Sequence, residues 1–587
     1  MSRRPVRIAN FSGYLGDRFS ALSEVLAGDP VDVLVGDYLA EITLAALAAR
    51  SPEGGYVGYA LAQLQPHLPV IAERGLKVVT NAGGFRPEAL AAALREHIAA
   101  AGLALRVAHI EGDNLLPHLD ELRAAGHPFT HLDTGAPLSS WGVEPAAANA
   151  YLGGAGIAAA LQAGADIVIA GRVTDASLTS GPAAWWHGWS TDAWNELAGA
   201  VLAGHVIECG PHATGGNFSG FASIPRPLRL GYPIAEVAAD GSSVITKHVA
   251  DGGAVTVDTV TAQLVYEIQG PHYLNPDVTV HLEDTVLTLE APDRVRICGT
   301  TGTPPPPTAK IALFAPLGYQ MVMTTFATAP DVEAKVALLR AQLHEQFGAP
   351  EQGIDELEVV QLGVPAADPE TEWEATVAVR IIATARDREV LSRGRFAAHV
   401  HALFLASYPG FFTDTAATPV HEPRARIGYW PALLPAAVVA HDVVLDDATV
   451  IAIPVPAASS PANQPVHPEP EPLPGGPTRR LPLGTVAHAR SGDKGANANV
   501  GVWVSDERAW PWLRSLLTVE EVRRLVPDAK DLDIVRHELP HLRAVHLVLR
   551  GLLAPASGST LRVDQAAKSV GEHLRARLVD IPEELLS

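Results

Sequence analysis

The stretch from residue 151 to residue 182 constrains the fold most strongly. Glycines at 153, 154 and 156 precede a segment rich in alanine and leucine that we expect to be helical. Gly164 ends this helix, because glycine tolerates the left-handed conformation found after a helix C-terminus. The continuous apolar run 166–170 is too short for a second helix and predicts a strand buried on both faces, as in a parallel sheet. A polar loop is predicted to follow, from residue 171 to residue 182.

Arg172 and Asp175 come directly after that strand. Ligands of open α/β sheets bind beyond the carboxyl ends of the strands, so a cation and an anion at this place are site candidates. Two interpretations stay open: the pair binds a ligand, or it braces the loop.

The same pattern occurs several times upstream of this stretch. Strands that alternate with helices predict an α/β fold with a mostly parallel sheet and right-handed crossovers over residues 1–200. Residues 201–453 carry short strands between Gly, Pro, Asp and Asn turns, and they predict a β-rich and α+β portion. The predicted parallel strands are residues 6–10, 31–35, 77–80, 105–110, 130–132 and 166–170.

Polar residues follow these apolar runs repeatedly. A single Asp at such a place is typical of a helix N-cap, but a series on one sheet edge favours a shared ligand cleft. Asp37 and Asp175 are therefore predicted as catalytic carboxylates. The whole series is Asp37, Asn81, Asp113, Asp133 and Asp175.

Several small or polar residues in the loops are predicted to bind substrate beside these carboxylates. Ser12 and Gly13 follow the first strand, where the loop is either an anion cradle at a helix N-terminus or an ordinary tight turn. Gly83 and Gly84 follow the third strand. Asn81, Asp113 and Arg172 complete this part of the predicted binding set.

Residues 204–217 are unusually dense in glycine and functional side chains for a connector. Glu208 is the third predicted catalytic carboxylate. Gly215 and Gly216 permit close backbone approach to a ligand with free N–H donors, and the predicted binding residues here are Thr214, Gly215, Gly216 and Asn217. Cys209 with His212 is either a nucleophile and its base or a buried inert thiol, and we favour the inert thiol.

A proline-rich linker over residues 454–480 is predicted to separate a small domain, residues 481–587, from the rest of the chain. Its strand and helix order suggests a compact βαβ-type sandwich. The segment 490–499 is predicted to be a loop that binds an anion, or else a charged hairpin tip. Its binding candidates are Arg490, Ser491, Asp493 and Lys494.

The overall charge excludes some classes of function. The net charge of −22 argues against general binding of nucleic acid or membrane surfaces. The two cysteines do not make a disulfide framework, and the N-terminal residues lack the apolar segment of a secretory signal. We therefore expect a cytoplasmic protein.

The chain resembles the acyclic terpene utilisation AtuA family across essentially its whole length. The resemblance implies a ferredoxin-like fold for the C-terminal domain. Relatives occur with genes for acyl-CoA carboxylation, hydration and cleavage, so it also implies a role in terpenoid or branched-acid breakdown, but no assigned reaction. The matching segments are residues 12–17, 36–41, 80–84, 170–175, 208–210, 214–217 and 489–495.

Two hypotheses follow. The first is a homo-oligomeric lyase or hydratase that acts on a hydroxylated or carboxylated acyl-CoA, with the coenzyme A thioester as substrate and a divalent metal as a possible cofactor. Such chemistry needs a base, donors that hold the thioester enolate and a cleft that excludes water. The second hypothesis is a non-catalytic binding or assembly subunit of an acyl-CoA-processing complex.

Overall fold

Strands alternate with helices through the N-terminal third of the chain, as the sequence predicts. The computed structural model describes residues 3–48, 55–413, 422–461, 463–473 and 475–586. The strands of this part are β1 (Val6–Ser12), β2 (Val33–Gly36), β3 (Lys77–Thr80), β4 (Val107–Glu111), β5 (Ala147–Ala150) and β6 (Ile167–Ile169). The helices are α1 (Ala21–Ala27), α2 (Glu41–Ala48), α3 (Gly58–Leu64), α4 (Leu68–Arg74), α5 (Pro87–Ala100), α6 (Leu119–Ala124), α7 (Ala155–Gln162), α8 (Ser177–His187) and α9 (Trp194–Ile207).

Five of these strands form the predicted parallel sheet, in the order β1, β2, β3, β6 and β4. The central strand β6 is wholly buried, which explains its continuous apolar sequence. Because all five strands run in one direction, the loops that follow them meet at one edge of the sheet. Asp37, Asn81, Asp113 and Asp175 therefore share that edge, as predicted.

Antiparallel strands extend this sheet on the side of β1. The pairing runs from β1 to β7, β8, β12 and β11. Among the short strands predicted between residues 201 and 453 are 255–257 and 263–266. These two are wrong, because a helix begins at Val257 after a capping box between Thr256 and Thr259. The elements are β7 (Pro233–Val237), β8 (Ser243–Lys247), α10 (Val257–Leu264), β9 (His272–Leu274), β10 (Thr279–His281), β11 (Val286–Ala291), β12 (Arg294–Cys298) and β13 (Thr301–Thr303).

The chain divides into two compact units. The first comprises Met1–Phe314, Tyr429–Ser557 and Asp564–Ser587, and the second comprises Ala315–Gly428 and Gly558–Val563. In the second unit, residues 319–328 pair with β16, β16 pairs with β15, and α11 contributes Val336, Leu339 and Leu343 to the core. Residues 308–452 contain β14 (Thr308–Thr328), α11 (Val332–Phe347), β15 (Glu356–Leu362), α12 (Glu372–Ala375), β16 (Thr376–Ala385), α13 (Ala398–Ala402), β17 (Phe412–Thr413), β18 (Arg424–Pro435), β19 (Asp442–Val444) and β20 (Val450–Ala452). Strands β19 and β20 belong to the first unit, where β19 pairs antiparallel with β4.

The C-terminal domain is an antiparallel sheet covered by helices. Its strand order is β22, β23, β25, β24, and every pair is antiparallel, so the predicted βαβ unit with parallel strands is absent from residues 475–586. Residues 490–499 lie in the β22–β23 hairpin, the second of the two alternatives, but only residues 495–496 form its tip and the others belong to its strands. The elements are β21 (Thr478–Pro482), β22 (His488–Lys494), β23 (Asn497–Trp503), α14 (Trp510–Leu516), α15 (Val519–Leu525), β24 (Ile534–Leu539), β25 (Ala544–Leu549), α16 (Val570–Ala576) and β26 (Leu578–Pro582).

Two predicted elements of the N-terminal third also differ. Residues 130–132 form no strand; the N–H of His131 donates to the Ala136 carbonyl in a tight turn, so Asp133 does not follow a sheet strand. The predicted polar loop 171–182 ends early, because α8 begins at Ser177.

The proline-rich segment contacts the sheet formed by β9, β10 and β13. The side chain of Gln464 accepts a hydrogen bond from the His272 N–H and donates one to the His272 carbonyl, at 3.0 and 2.6 Å. Strand β21 begins at Thr478, inside the predicted linker, and pairs with β26. The division of the chain into domains 1–200, 201–453 and 481–587 with a linker at 454–480 stays a prediction.

The helices of the described residues are short. The longest, α11, has 16 residues, whereas a bilayer-spanning helix needs about 20 apolar residues. None of the helices in these ranges combines the length and apolar character needed to cross a membrane.

Burial of β6 yields a stability prediction. Replacing Ile169, which is 0% exposed, with Ala should lower the free energy of unfolding by about 2–5 kcal/mol, because it removes buried methyl groups and leaves a cavity. Urea denaturation measures this loss. The control Leu228→Ala, at a fully exposed position, should change stability by less than about 0.5 kcal/mol. Equal effects of the two substitutions would contradict the central placement of β6.

Candidate functional site

A cavity of about 970 Å³ lies at the carboxyl edge of the parallel strands, within the first compact unit. This volume is typical of small-molecule sites, which span about 300–1,000 Å³. Its walls come from the loops after β1, β2 and β6, from segments 209–217, 266–276 and 306–310, and from the C-terminal domain. The residues predicted from sequence that line it are Gly13, Arg172, Asp175, Asn217, Asp493 and Lys494.

Arg172 is buried at the cavity wall and braces its own loop. Its Nη1 donates to the Leu39 carbonyl at 2.8 Å and to Oδ1 of Asp175 at 2.6 Å, and its guanidinium lies 4.3 Å from the ring centre of Tyr151. Burial opposes the charge, but Asp175, Tyr151 and Glu41 outweigh burial and hold the pKa of Arg172 well above its ordinary value. Asp175 retains 30% of its side-chain exposure. The pair therefore braces the loop while Asp175 still faces the cavity.

Glu41, at the start of α2, forms a second charged group on the same wall. Its Oε1 accepts from the Tyr151 hydroxyl at 2.6 Å and lies 3.1 Å from Nζ of Lys310. Burial alone would raise the pKa of Glu41, but the charges of Lys310, Arg172 and Lys494, with the Tyr151 hydrogen bond, lower it far below its usual range. Glu41 is thus an ionised partner for cations.

Asp37 lies outside the cavity lining, in a hydrogen-bonded layer with Asn81 and Ser12. Oδ1 of Asp37 accepts from Nδ2 of Asn81 at 2.7 Å and from the Leu39 N–H at 3.1 Å. The Ser12 hydroxyl donates to the Asp37 carbonyl at 3.0 Å. Burial, followed by repulsion from Asp175, raises the pKa of Asp37 well above its ordinary value. These residues position the loops after β1, β2 and β3.

Asp113 also faces the protein interior. Its Oδ2 accepts from Nδ2 of Asn149 at 2.7 Å and from the Arg172 N–H at 2.8 Å. Burial raises the pKa of Asp113 to about 6, although both of these hydrogen bonds favour its charged form. Asp113 therefore fixes the backbone of Arg172 and does not line the cavity.

Glu208 follows α9 and is buried beside His205. Its Oε1 lies 3.3 Å from Nδ1 of His205. Burial, together with the neighbouring Asp175 and Glu267 carboxylates, outweighs the attraction of His205 and raises the pKa of Glu208 to about 7. Glu208 does not line the cavity, so it is a buried carboxyl behind the wall.

His212 lines the cavity and is held by Arg490 from the C-terminal domain. Nη2 of Arg490 lies 2.8 Å from Nδ1 of His212, and Nη1 donates to the Asn217 carbonyl at 2.9 Å. Because a guanidinium can only donate, Nδ1 of His212 must accept, which leaves the ring proton on Nε2. Burial and the charges of Arg490 and Lys568 lower the pKa of His212 well below its ordinary value. His212 is therefore a neutral imidazole with an Nε2–H donor.

Glu267, Lys568 and Asp493 form a charged cluster on the wall near His212. Nζ of Lys568 lies 3.0 Å from Oε1 of Glu267 and 3.9 Å from Oδ1 of Asp493, and it also donates to the Tyr266 hydroxyl. Burial disfavours the Glu267 carboxylate, but Lys568 and Lys494 outweigh burial and lower its pKa. Burial and repulsion by Glu267 raise the pKa of Asp493 to about 7. Neighbouring carboxyls thus differ in their affinity for protons.

Family comparison agrees with the resemblance noted in the sequence. The model for acyclic terpene utilisation family protein AtuA matches residues 6–445, and the AtuA ferredoxin-like domain matches residues 481–580. The chain belongs to the AtuA family. Searches of curated proteins and of solved structures found no match. Membership in this family suggests a role in acyclic terpene utilisation.

In this AtuA chain, several predicted binding residues support the backbone. The N–H groups of Gly215 and Gly216 donate to the carbonyls of His212 and Pro211, so they are not the free donors expected from the sequence. The Thr214 hydroxyl donates to the Gly231 carbonyl at 2.8 Å. The Ser491 hydroxyl donates to the Ala567 carbonyl at 2.7 Å.

Gly83 and Gly84 are required by close packing. A Cβ at Gly83 would lie 2.5 Å from the Ala170 carbonyl oxygen. A Cβ at Gly84 would lie equally close to the Gly55 carbonyl oxygen, and Gly84 also has a positive φ of 56°. Neither residue lines the cavity.

Cys209 lines the cavity without the environment of a nucleophile. Burial, with the Glu208 and Glu267 carboxylates, raises the pKa of the Cys209 thiol well above its ordinary value, whereas a reactive cysteine needs a lowered pKa.

Sequence analysis missed the lining residues Glu41, Tyr151, Lys310, Glu267 and Lys568. Each lies far in sequence from its partners. The only signals were the position of Tyr151 at the head of the opening stretch and the place of Glu41 at the end of the family-matching segment 36–41.

The tautomer of His212 can be measured. We expect ¹⁵N-histidine NMR to show a ring that is protonated on Nε2 and stays neutral below the ordinary histidine pKa, because burial and the charge of Arg490 disfavour the imidazolium. Arg490→Gln should raise the pKa of His212 towards its ordinary value. The control Arg508→Gln alters an arginine with 64% side-chain exposure and should leave the His212 signals unchanged. Protonation on Nδ1 in the unaltered protein would contradict this assignment.

Glu208 should make stability depend on pH. Its pKa rises from 4.5 to about 7 on folding, so the folded state holds the proton more tightly. The resulting stabilisation is complete below about pH 4.5 and is lost as the pH rises through about 7. The glutamine in Glu208→Gln cannot ionise. Between about pH 5 and pH 8, the urea midpoint of this variant should therefore fall less than that of the unaltered protein.

The matched control for this effect is Glu121→Gln, which replaces a glutamate with 82% side-chain exposure. This variant should follow the pH dependence of the unaltered protein. If the midpoints of Glu208→Gln and of the unaltered protein decline in parallel, Glu208 is ionised in both states and the assignment is wrong.

Proposed function

We propose that the cavity is the active site of a lyase or hydratase acting on a hydroxylated or carboxylated acyl-CoA in terpenoid or branched-acid breakdown. One observation carries the proposal: Asp493, whose pKa lies at about 7, lines the cavity together with Lys494 and the neutral His212. An acid–base group, a cation and a neutral donor are what proton transfer next to a thioester carbonyl requires.

Asp493 is the proposed acid–base residue. A general base works best when its pKa lies near the operating pH, and neighbouring carboxyls with opposite pKa shifts mark acid–base assignments. Asp493 has a raised pKa and Glu267 beside it a lowered one. Asp175 is the proposed second carboxylate, because it faces the cavity from the opposing chain segment after β6.

The enolate oxygen is proposed to be stabilised by Lys494 and His212. In the described part of the chain, the ammonium of Lys494 has no carboxylate within ion-pair distance, whereas Arg172, Lys310 and Lys568 each have one. Lys494 lowers the pKa of Glu41 and of Glu267 without direct contact with either carboxylate, so its ammonium is proposed to be available to an incoming anion. The neutral Nε2–H of His212 supplies a hydrogen-bond donor without adding charge.

Both reactions need a base, an acid and groups that stabilise the thioester enolate, but they move different protons. In dehydration, the base removes a proton from the carbon next to the thioester, and the 3-hydroxyl leaves with a proton as water. In carbon–carbon cleavage, the base removes the proton of the 3-hydroxyl, the Cα–Cβ bond breaks, and the thioester enolate is protonated at Cα. The acyl chain would lie against apolar lining residues such as Leu15, Leu132, Leu274 and Leu433.

A direct test incubates the purified protein with a panel of acyl-CoA esters, with and without divalent metal, and follows the esters by mass spectrometry. The panel contains saturated, 2-unsaturated, 3-hydroxy and carboxylated branched esters. Gain or loss of water, or chain cleavage, supports the proposal. Binding of an ester without any conversion would favour the non-catalytic subunit, and absence of both binding and conversion would reject acyl-CoA as the ligand.

Asp493→Asn should separate catalysis from binding. We expect kcat to fall about 10²–10⁴-fold, because the amide cannot accept the proton, while the Kd for the same ester changes little. The control Asp506→Asn lies on the same domain at a surface position and should keep full activity. Unchanged kcat in Asp493→Asn, or an equal loss in both variants, would contradict the role of Asp493.

A further inference from the structure

Two histidines and a glutamate meet on the β9–β10 hairpin, away from the cavity lining. His272 on β9 and His281 on β10 are direct cross-strand partners, and their ring centres lie 4.2 Å apart. Glu283 follows His281 by two residues. In the described part of the chain, this is the only group of three or more potential metal ligands found close together.

The distances among these side chains suit a metal ion after small side-chain movements. Nε2 of His272 lies 2.9 Å from Oε1 of Glu283, and the ligand atoms of all three residues lie within 4.8 Å of one another. Zn²⁺ binds imidazole nitrogen and carboxylate oxygen at about 2.0–2.2 Å, so its ligand atoms must come within about 3–3.5 Å of one another. Two histidines and one carboxylate are a known ligand set for zinc and for other divalent transition metals.

The outer nitrogens of both histidines already have partners. Nδ1 of His272 lies 2.6 Å from the Asn463 carbonyl oxygen, and Nε2 of His281 lies 2.9 Å from the Thr303 hydroxyl. Metal-binding histidines almost always use their second nitrogen in this way, which fixes the ring and its tautomer. Nε2 of His272 and Nδ1 of His281 remain for an ion.

Glu283 supplies an independent indication. Its Oε2 is buried and has no hydrogen-bond partner among the residues that the structure describes. A buried carboxylate oxygen without a partner costs free energy. A simple His272–Glu283 ion pair leaves this oxygen unsatisfied and does not explain the second imidazole beside it.

We propose that His272, His281 and Glu283 bind one divalent transition-metal ion, with Zn²⁺ as the preferred ion. The three protein ligands leave a position for water, but the site lies outside the cavity lining, so its role is structural. The ion joins β9 and β10, and through Asn463 it also fixes the proline-rich segment. Leu274 at the end of β9 and Asn275 and Pro276 in the turn after it line the cavity. The metal therefore stabilises one wall of the proposed active site.

The test measures metal binding to full-length protein after removal of metals with a chelator. We expect about one equivalent of Zn²⁺ per chain by calorimetry, an increase in melting temperature on addition of Zn²⁺, and a visible spectrum of Co²⁺ bound by nitrogen and oxygen ligands. His281→Gln and Glu283→Gln should each weaken Zn²⁺ binding at least about tenfold and abolish the thermal shift. Circular dichroism of the metal-free variants shows whether they still fold.

Two further variants locate the ion. His118→Gln alters another His–Glu pair, with Glu121, that lacks a third ligand, and it should bind Zn²⁺ as the unaltered protein does. Asp493→Asn alters the cavity and should also retain binding. No stoichiometric Zn²⁺ in the unaltered protein, unchanged affinity in His281→Gln, or loss of binding only in Asp493→Asn would each overturn the proposal.

Discussion

The site depends on one buried charge, the guanidinium of Arg172. A charge removed from water is costly unless it is paired and hydrogen-bonded, and Arg172 obtains its partners from three different loops. Its side chain binds the Leu39 carbonyl after β2 and Asp175 after β6, while its backbone N–H binds Asp113 after β4. Movement of the loop after β2 would take the Leu39 carbonyl from the guanidinium, and movement of the loop after β4 would leave the Arg172 N–H without its partner. The carboxyl edge of the sheet is therefore held as one rigid surface.

The sequence predicts this edge well, because its signals are local. Apolar runs bounded by glycine and polar residues identify β1, β2, β3, β4 and β6, and parallel strands must bring their following loops to one side. The sequence does not tell which way each side chain points. Asp37 and Asp113 turn inward to Asn81 and Asn149, whereas Asp175 faces the cavity, and only tertiary packing decides between these outcomes.

Signals that are not local explain the other differences. Val255, Val257, Val260 and Val265 suggest strands by their β-branched side chains, yet the capping box at Thr256 starts α10, and residues 259–264 of this helix are all buried. The β22–β23 hairpin lacks a strongly apolar sequence, because its polar residues Arg490 and Ser491 are buried through specific partners. Glu267 and Lys568 are separated by 301 residues, so no sequence spacing could have revealed their pairing.

The distribution of charge along the chain indicates why the two family domains occur in one polypeptide. The loops of the N-terminal sheet supply Asp175, Arg172 and Glu41, which form with Lys310 of β14 a wall whose charges are paired with one another. Asp493 and Lys494 come from the C-terminal domain, as does Arg490, which fixes the proton of His212. Without residues 490–568, His212 would lose the charges that keep it neutral and Glu267 would lose its ammonium partner. The proposed acid–base chemistry therefore draws on side chains of both domains.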